Sequence, residues 1–413
     1  MPATDLLRIP RRQGLGCLMD RLRFWRGMER LQRVRRKRFL ELIRSSGRER
    51  LVRELVRDPA GLEFQAALQA WARKSAVDAA AMEPLQRTGS PSRRCSVVIN
   101  TVDRARDLEI TLEALAKVWD PARDELIIVL GPTADHSGDV IRNAAVGCRV
   151  IHCPQRNLAV SRNLGWQAAE GRFVAFIDDD ASPVEGWLDA LLAPLEQDPQ
   201  AGVAAGFVMD GDGGGFLNRH VVADTLGRAY QFDDAAAARA KIAELGECRA
   251  FPTAMGCNMA FRREVLDAIG GFDPFYPYFL EETDVIWRAI GAGFRCVAAP
   301  DSRVRHRLGG NLARKPSFEV GQRVVVIRSQ IHYIGKFGRA TFAPEEIEAC
   351  LWERALLDLE KIAWDSCGGG RDAPACGDLQ RRYLAAVTRE FRLDSDADSA
   401  SLSQPSAIIN HAP

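Results

Sequence analysis

From Cys95 to Met209 short apolar runs alternate with amphipathic stretches. Ser96–Asn100, Glu125–Leu130, Arg149–Cys153, Arg172–Ile177 and Gly202–Met209 read as strands, and Phe294–Ala298 as a later one. Between them lie helical stretches such as Arg106–Val118, where Leu108, Leu112 and Leu115 share one face. This alternation predicts an α/β chain with a mostly parallel, three-layer, Rossmann-like sheet. Ligands of such sheets bind beyond the carboxyl ends of the strands. After Met209 the Gly-rich Asp210–Gly215 opens a long irregular stretch, expected to be a lid or mobile segment. Helical patterning returns from about Ser317, over Val320–Lys336 and Pro344–Trp364. At the other end Leu22, Trp25, Met28 and Leu31 recur at helical spacing among arginines. The expected organisation is a basic helical region over 1–90, an α/β domain over 94–312, a helical region over 313–393 and a disordered tail over 394–413. There is no internal repeat.

Composition narrows the class. The 413 residues are 46% hydrophobic and 27% charged, which excludes wholesale disorder. The formal net charge of +1 conceals a split, because residues 1–90 carry 20 Lys/Arg against 10 Asp/Glu and the remainder 36 against 45. The run Arg33–Arg38 with its neighbouring Trp and Leu faces suits a peripheral contact with anionic lipid. A solvated helical appendage explains the same charges. The overall balance argues against nucleic acid as a partner. No apolar run approaches the roughly 18 residues that span a bilayer. Met1–Arg12 leads into Gly-Leu-Gly-Cys-Leu-Met and then charge, without the apolar core of a secretory signal. The ten Cys are scattered with no C-x-x-C pair, so free thiols in a cytoplasmic protein are expected, either free in solution or peripheral on the inner membrane face.

The candidate chemistry is acidic. Phe173–Asp180 is an apolar strand that delivers Asp178, Asp179 and Asp180 to the ligand-binding edge. Three adjacent carboxylates repel one another, and a hard divalent cation with oxygen ligands relieves that repulsion. An acidic solvated turn is the plain alternative. Ser182 as N-cap, Pro183 at the first helical position and Glu185 closing a capping box predict a helix directly behind the triplet. A second cluster, Glu281-Glu-Thr-Asp284, opens an amphipathic helix in which Asp284 and Arg288 form an i,i+4 pair. The aromatic run Phe272–Phe279 before it suits either the face of a sugar or the core. A carboxylate beside such a wall loses water, and its pKa rises toward that of a useful base. His306, after the strand Phe294–Ala298, reads as a structural histidine or as the imidazole of an oxygen-rich metal site. Gly309–Lys315 behind it is a basic loop suited to phosphate, or a simple connector.

Six segments together resemble family 2 glycosyltransferases, in that family's order and over about residues 95–312. They are Ser96-Val-Val-Ile-Asn-Thr-Val-Asp-Arg104, Arg156-Asn157 with Ser161-Arg-Asn-Leu-Gly165, Phe176-Ile-Asp-Asp-Asp180, Gly256-Cys-Asn-Met-Ala-Phe261, Gly270-Gly-Phe-Asp273 and Glu281-Glu-Thr-Asp284. The resemblance implies the GT-A fold, a nucleotide-sugar donor, an acceptor hydroxyl on a glycan, lipid-linked or other molecule, and inversion at the anomeric carbon. It implies Mn²⁺ or Mg²⁺ held chiefly by Asp180, with Asp178 and His306 as further ligands and Asp178 and Asp179 facing metal or ribose. Thr101, Asp103, Arg104, Asp135, Arg162 and Asn163 match nucleotide-contacting positions. Glu282 matches the catalytic base, with Glu281 as its rival. The chain departs from the family at Asp103, where Asn is usual, and at Leu130-Gly-Pro-Thr, where a carboxylate usually follows the second strand. A nucleotidyltransferase would carry a Gly-rich basic loop after the first strand, which Asn100-Thr-Val-Asp-Arg-Ala lacks. A non-catalytic scaffold would have no need of the carboxylates.

Overall fold

The structure is a computed structural model that describes residues 58–74, 82–87, 90–307, 316–367 and 374–396. The basic helical pattern of 1–57, the loop Gly309–Lys315 and the tail beyond 396 lie outside the described residues. The chain divides into two compact units, residues 1–63 and 64–413, and the second holds every described strand.

The strands are β1 (Arg93–Thr101), β2 (Asp124–Leu130), β3 (Arg149–His152), β4 (Gly171–Phe176), β5 (Ala181–Pro183), β6 (Ala201–Asp210), β7 (Phe216–Asn218), β8 (His220–Asp224), β9 (Ala229–Phe232), β10 (Ala250–Thr253), β11 (Met259–Arg262) and β12 (Arg295–His306). The helices are α1 (Pro59–Ala72), α2 (Ala105–Ala116), α3 (Ser137–Asn143), α4 (Leu158–Ala168), α5 (Trp187–Gln197), α6 (Ala235–Leu245), α7 (Arg263–Ile269), α8 (Glu281–Gly291), α9 (Pro316–Tyr333), α10 (Pro344–Cys367) and α11 (Pro374–Asp396). A π-helical turn, Ile334–Gly338, follows α9.

The main sheet runs β3-β2-β1-β4-β11-β6-β12-β5, with β7 hairpinned onto β6. The pairs β3–β2, β2–β1, β1–β4 and β12–β6 are parallel, while β11 enters antiparallel between β4 and β6. This is the expected α/β sandwich with a mostly parallel sheet. Both faces of the sheet are covered. Val97 and Ile99 of β1, with Leu126 and Ile128 of β2, face the side of α2, α3 and α5. Val98, Ile127 and Val129, one residue out of phase, face the side of α4, α7 and α8. Strict alternation with both sets buried explains why these strands read as continuous apolar runs.

Three expectations are corrected. Ala181–Pro183 is no helix start but a short edge strand, antiparallel to the end of β12 with Ala181 opposite His306. The helix begins only at Trp187, after Gly186 in the left-handed region at φ 73°. Pairing with β12 satisfies this backbone better than a helical turn, which overrides the capping pattern. Second, His306 does not follow the strand but ends it. β12 passes through exposed Pro300 because a register shift between Ala299 and Arg303 loops the intervening residues out. Third, Asp210–Gly215 is a tight turn that pairs β7 back onto β6, and the chain then forms the small sheet β10-β8-β9. α9, α10 and α11 belong to the same compact unit as the sheet. Phe64 and Trp71 of α1 pack against Phe391 of α11 at 5.8 and 5.6 Å between ring centroids.

Candidate active site

The carboxyl ends of β1 and β4 and the end of β12 converge on the Asp triplet. Asp180 lies at the centre: its Oδ1 is 2.9 Å from His306 Nε2, and its Oδ2 accepts from Arg104 Nη2 at 2.7 Å. Asp178 Oδ2 is 3.9 Å from the same imidazole nitrogen. Arg104 Nε lies 3.4 Å from Asp179 Oδ1, and Thr111 Oγ1 donates to the Asp179 carbonyl at 2.7 Å. Burial pushes the Asp179 carboxyl up to about 7, against the pull of Arg104 and of the Thr101 hydroxyl. Burial opposes a charged imidazole at His306, yet Cys257 and Asp180 beside it outweigh this and push its pKa up. The Asp178 side chain is 37% exposed, whereas those of Asp179 and Asp180 are each 5% exposed, so the triplet opens toward solvent at its first member. A carboxylate, the Cys257 thiol and the His306 imidazole lie within 4.8 Å of one another. With Asp180 against the same ring, oxygen donors and an imidazole fit a Mn²⁺- or Mg²⁺-like ion.

Arg162 joins this cluster to the second. Its side chain is 2% exposed, donates to Glu281 Oε1 at 2.8 Å and lies 3.8 Å from Asp178 Oδ1. The rings of Phe176 and Phe272 flank its guanidinium at 5.7 and 5.5 Å. Gly256 is needed for this placement, because a Cβ there would come within 2.3 Å of Arg162 Nη2. Glu281 and Glu282 therefore differ. Glu281 is buried and engaged with Arg162, whereas Glu282, on the first turn of α8, is half-buried. Burial and the neighbouring Glu281 push Glu282 up to about 8, against the attraction of Arg162.

The first-turn residues hold their own loops. Asp103, at φ 52°, accepts from Ala134 N at 2.6 Å and Thr133 Oγ1 at 2.9 Å and pairs with Arg156. Asp135 accepts from Ala105 N at 2.8 Å and Ser137 N at 3.0 Å. Burial opposes its charge, but these bonds and those of the Ser137 and Thr133 hydroxyls hold its pKa at about 2. Thr101 is buried at the end of β1. The buried amide of Asn163 donates to Phe272 O at 2.7 Å and accepts from Phe272 N and Trp166 Nε1, each at 2.8 Å. Those bonds engage it in packing the loop before α8. The aromatic run divides likewise, with Phe272 and Tyr276 in the core and Tyr278 exposed.

Sequence reasoning passed over two contributors. Cys257 lies beside His306, and its only signal was its place between Gly256 and Asn258. Arg307 donates to Ser182 Oγ at 2.5 Å and Thr111 Oγ1 at 2.8 Å, tying β5 and α2 behind the triplet. An arginine at a strand end carries no pattern that marks such a role.

Fold and site define an α/β domain with a cluster of carboxylates, arginines and a histidine at the carboxyl edge of its sheet. Residues 96–270 match the family model described as Glycosyl transferase family 2. The chain is 27% identical over 233 residues to the pre-mycofactocin glycosyltransferase of Mycobacterium tuberculosis, a match covering 56% of this chain and 46% of that protein. It is 28% identical over 195 residues to the glucosyl-dolichyl phosphate glucuronosyltransferase of Haloferax volcanii, covering 44% and 56% respectively. The chain thus spans about half the length of the curated relatives it matches. Among solved structures it is similar to the mannosyltransferase PcManGT from Pyrobaculum calidifontis in complex with GDP-Man and Mn²⁺. That likeness has 16% identity, a TM-score of 0.44, and coverage of 82% of this chain and 94% of that one. Among the described residues no helix is long and apolar enough to cross a membrane.

Proposed function

We propose that this protein transfers a sugar from a nucleoside-diphosphate sugar to an acceptor hydroxyl, with inversion and with a divalent cation. The observation that carries the reading is that Arg162 joins Asp178 of the triplet to Glu281, directly beside a half-buried Glu282 that burial and Glu281 push up to about 8. Asp180, with Asp178 and His306, would hold Mn²⁺ or Mg²⁺, which when bound stabilises the charge growing on the departing diphosphate. Arg104 answers the charge of Asp179 and Asp180 and stands at the end of β1, where a nucleotide would approach. Glu282 takes the proton from the acceptor hydroxyl as it attacks the anomeric carbon from the face opposite the leaving group. Arg162 engages Glu281, so that Glu282 is the carboxylate left to exchange protons. The acceptor class, glycan or lipid-linked, extends this reading, as does a peripheral membrane contact through the basic residues of 1–90. Liposome sedimentation with and without that segment tests the contact.

The deciding experiment incubates the full chain with a panel of UDP- and GDP-sugars and candidate hydroxyl acceptors, with Mn²⁺ or with EDTA. Release of nucleoside diphosphate, dependent on the cation, is expected. Release of pyrophosphate would point to a nucleotidyltransferase. The absence of both turnover and binding across the panel would leave a non-catalytic scaffold.

A further inference from the structure

The C-terminal helices carry an ionic network that reaches the turn bearing Glu282. Lys336, in the π-helical turn after α9, places its Nζ 2.8 Å from Asp273 Oδ2 and also pairs with Asp284 Oδ2. Asp284 is fully buried on the first turn of α8, two residues from Glu282. There it also accepts from Arg288 Nε at 2.6 Å and from Tyr276 OH at 3.2 Å. His332 Nε2 lies 3.0 Å from Asp273 Oδ2, and its ring stacks on Phe275 with centroids 3.7 Å apart. The segment so gripped is strained. Phe279 and Leu280, directly before Glu281, adopt φ of 74° and 71°, a region costly for bulky side chains. Such strain persists only where surrounding contacts over-determine it. Ser329 Oγ of α9 donates to the Tyr278 carbonyl at 3.0 Å, and Arg354 of α10 lies over the Phe279 ring at 5.2 Å. A π turn is itself an uncommon arrangement, frequent at functional sites. Here it is closely packed, since a Cβ on Gly338 would stand 2.8 Å from Thr225 O.

We propose that Lys336 is a positioning residue: bridging Asp273 and Asp284, it holds the strained entry to α8 so that Glu282 faces the acceptor hydroxyl. The C-terminal helices are thereby part of the transfer machinery rather than an appendage. This rests on the reading of Glu282 as the base, and two separate readouts keep the two ideas apart.

The full chain is compared with Lys336→Met and Lys336→Arg by hydrogen exchange and by turnover of whichever sugar nucleotide the panel identifies. In Lys336→Met the peptide covering 276–284 should exchange about tenfold faster, while peptides of β1 and β4 stay unchanged. Its kcat should fall about 10- to 100-fold with the donor KM held within about twofold, because misplacement of the base affects chemistry rather than donor binding. Lys336→Arg, which keeps the charge, should restore part of both and serves alone if the Met variant does not fold. Unchanged exchange over 276–284, a uniform increase across the chain, or faster exchange with unaltered kcat would each overturn the proposal. If the wild-type chain turns over no sugar nucleotide, the exchange result still decides whether Lys336 fixes the turn. The silence then counts against the proposed transferase activity instead.

Discussion

Two acidic clusters lie in the same domain and are treated in opposite ways. In the first, Asp178, Asp179, Asp180, Glu281 and Glu282 share Arg104, Arg162 and His306, and burial leaves Asp179 near 7 and Glu282 near 8. In the second, Asp273 and Asp284 meet Lys336, Arg288 and His332. Burial there opposes the charge of Asp273, yet His332 and Lys336 hold its carboxyl well below the ordinary range. In the first cluster burial disfavours the charge of Asp179 and Glu282, whereas in the second Lys336, Arg288 and His332 match the carboxylates. A carboxylate whose ionisation burial opposes costs stability when charged and is a frequent mark of function, whereas saturated charge marks architecture.

The largest test of this contrast is Asp180→Ala. It removes the carboxylate shared by His306 and Arg104, and transfer should fall by at least about 1,000-fold, the scale of a lost cation's charge stabilisation. Mn²⁺ binding, followed by electron paramagnetic resonance, should weaken in parallel. Full activity of the variant in EDTA would remove the cation from the reading. Next comes Glu282→Gln, expected to lower kcat about 100- to 10,000-fold with nucleoside-diphosphate binding intact. The wild type should show kcat/KM rising with pH and levelling above about 8, because the base must be ionised and burial raises its pKa to that value. That rising limb should vanish in the variant. If Glu281→Gln removes the limb and Glu282→Gln does not, the two carboxylates exchange roles.

How much of this was readable beforehand depends on the range of the interactions. The strands were readable because burial on both faces imposes consecutive apolar residues along the centres of β1, β2 and β4. The Asp triplet was readable because carboxylates directly after an apolar strand have few structural uses. Three things were not. The edge strand Ala181–Pro183 mimics a capping box, and only its pairing with β12, more than 100 residues away, decides between the two. The difference between Glu281 and Glu282 depends on Arg162, 119 residues earlier in the chain. The role of Lys336 depends on two carboxylates of which neither is within 50 residues of it. Local pattern carries strand, helix and triplet, but the charge partner of each carboxylate is a tertiary fact.

On the saturated side, Asp273→Asn should destabilise the protein by about 3–5 kcal/mol, since it leaves buried cations short of a partner. A fall in melting temperature of about 5–10 °C at pH 7 is expected. The sign with pH comes from its lowered pKa. Ionised Asp273 contributes stability above the unfolded value of 3.8, and that contribution is lost as pH falls through the lower folded value. The gap between variant and wild type should therefore close in strong acid. A gap that persists unchanged there would assign the loss to packing rather than to charge.

The smallest effect runs the other way and separates the clusters most sharply. Asp179 has a folded pKa of about 7 against an ordinary 3.8, so the folded state binds more protons than the unfolded one between those values. Stability then declines as pH rises through that window, and the whole cost is present above about 7. Asp179→Asn keeps the shape of the neutral acid without the charge. In the cation-free protein it should raise the melting temperature at pH 8 by about 1–3 °C and have no effect near pH 4. Loss of the contact with Arg104, whose Nε lies 3.4 Å away, keeps the gain small. Added Mn²⁺ should reverse the order, because the wild-type triplet then gains a ligand that binds only its folded form. If the variant is less stable at pH 8 without cation, Asp179 is a satisfied structural carboxylate, and the contrast between the two clusters fails at the residue where it is easiest to measure.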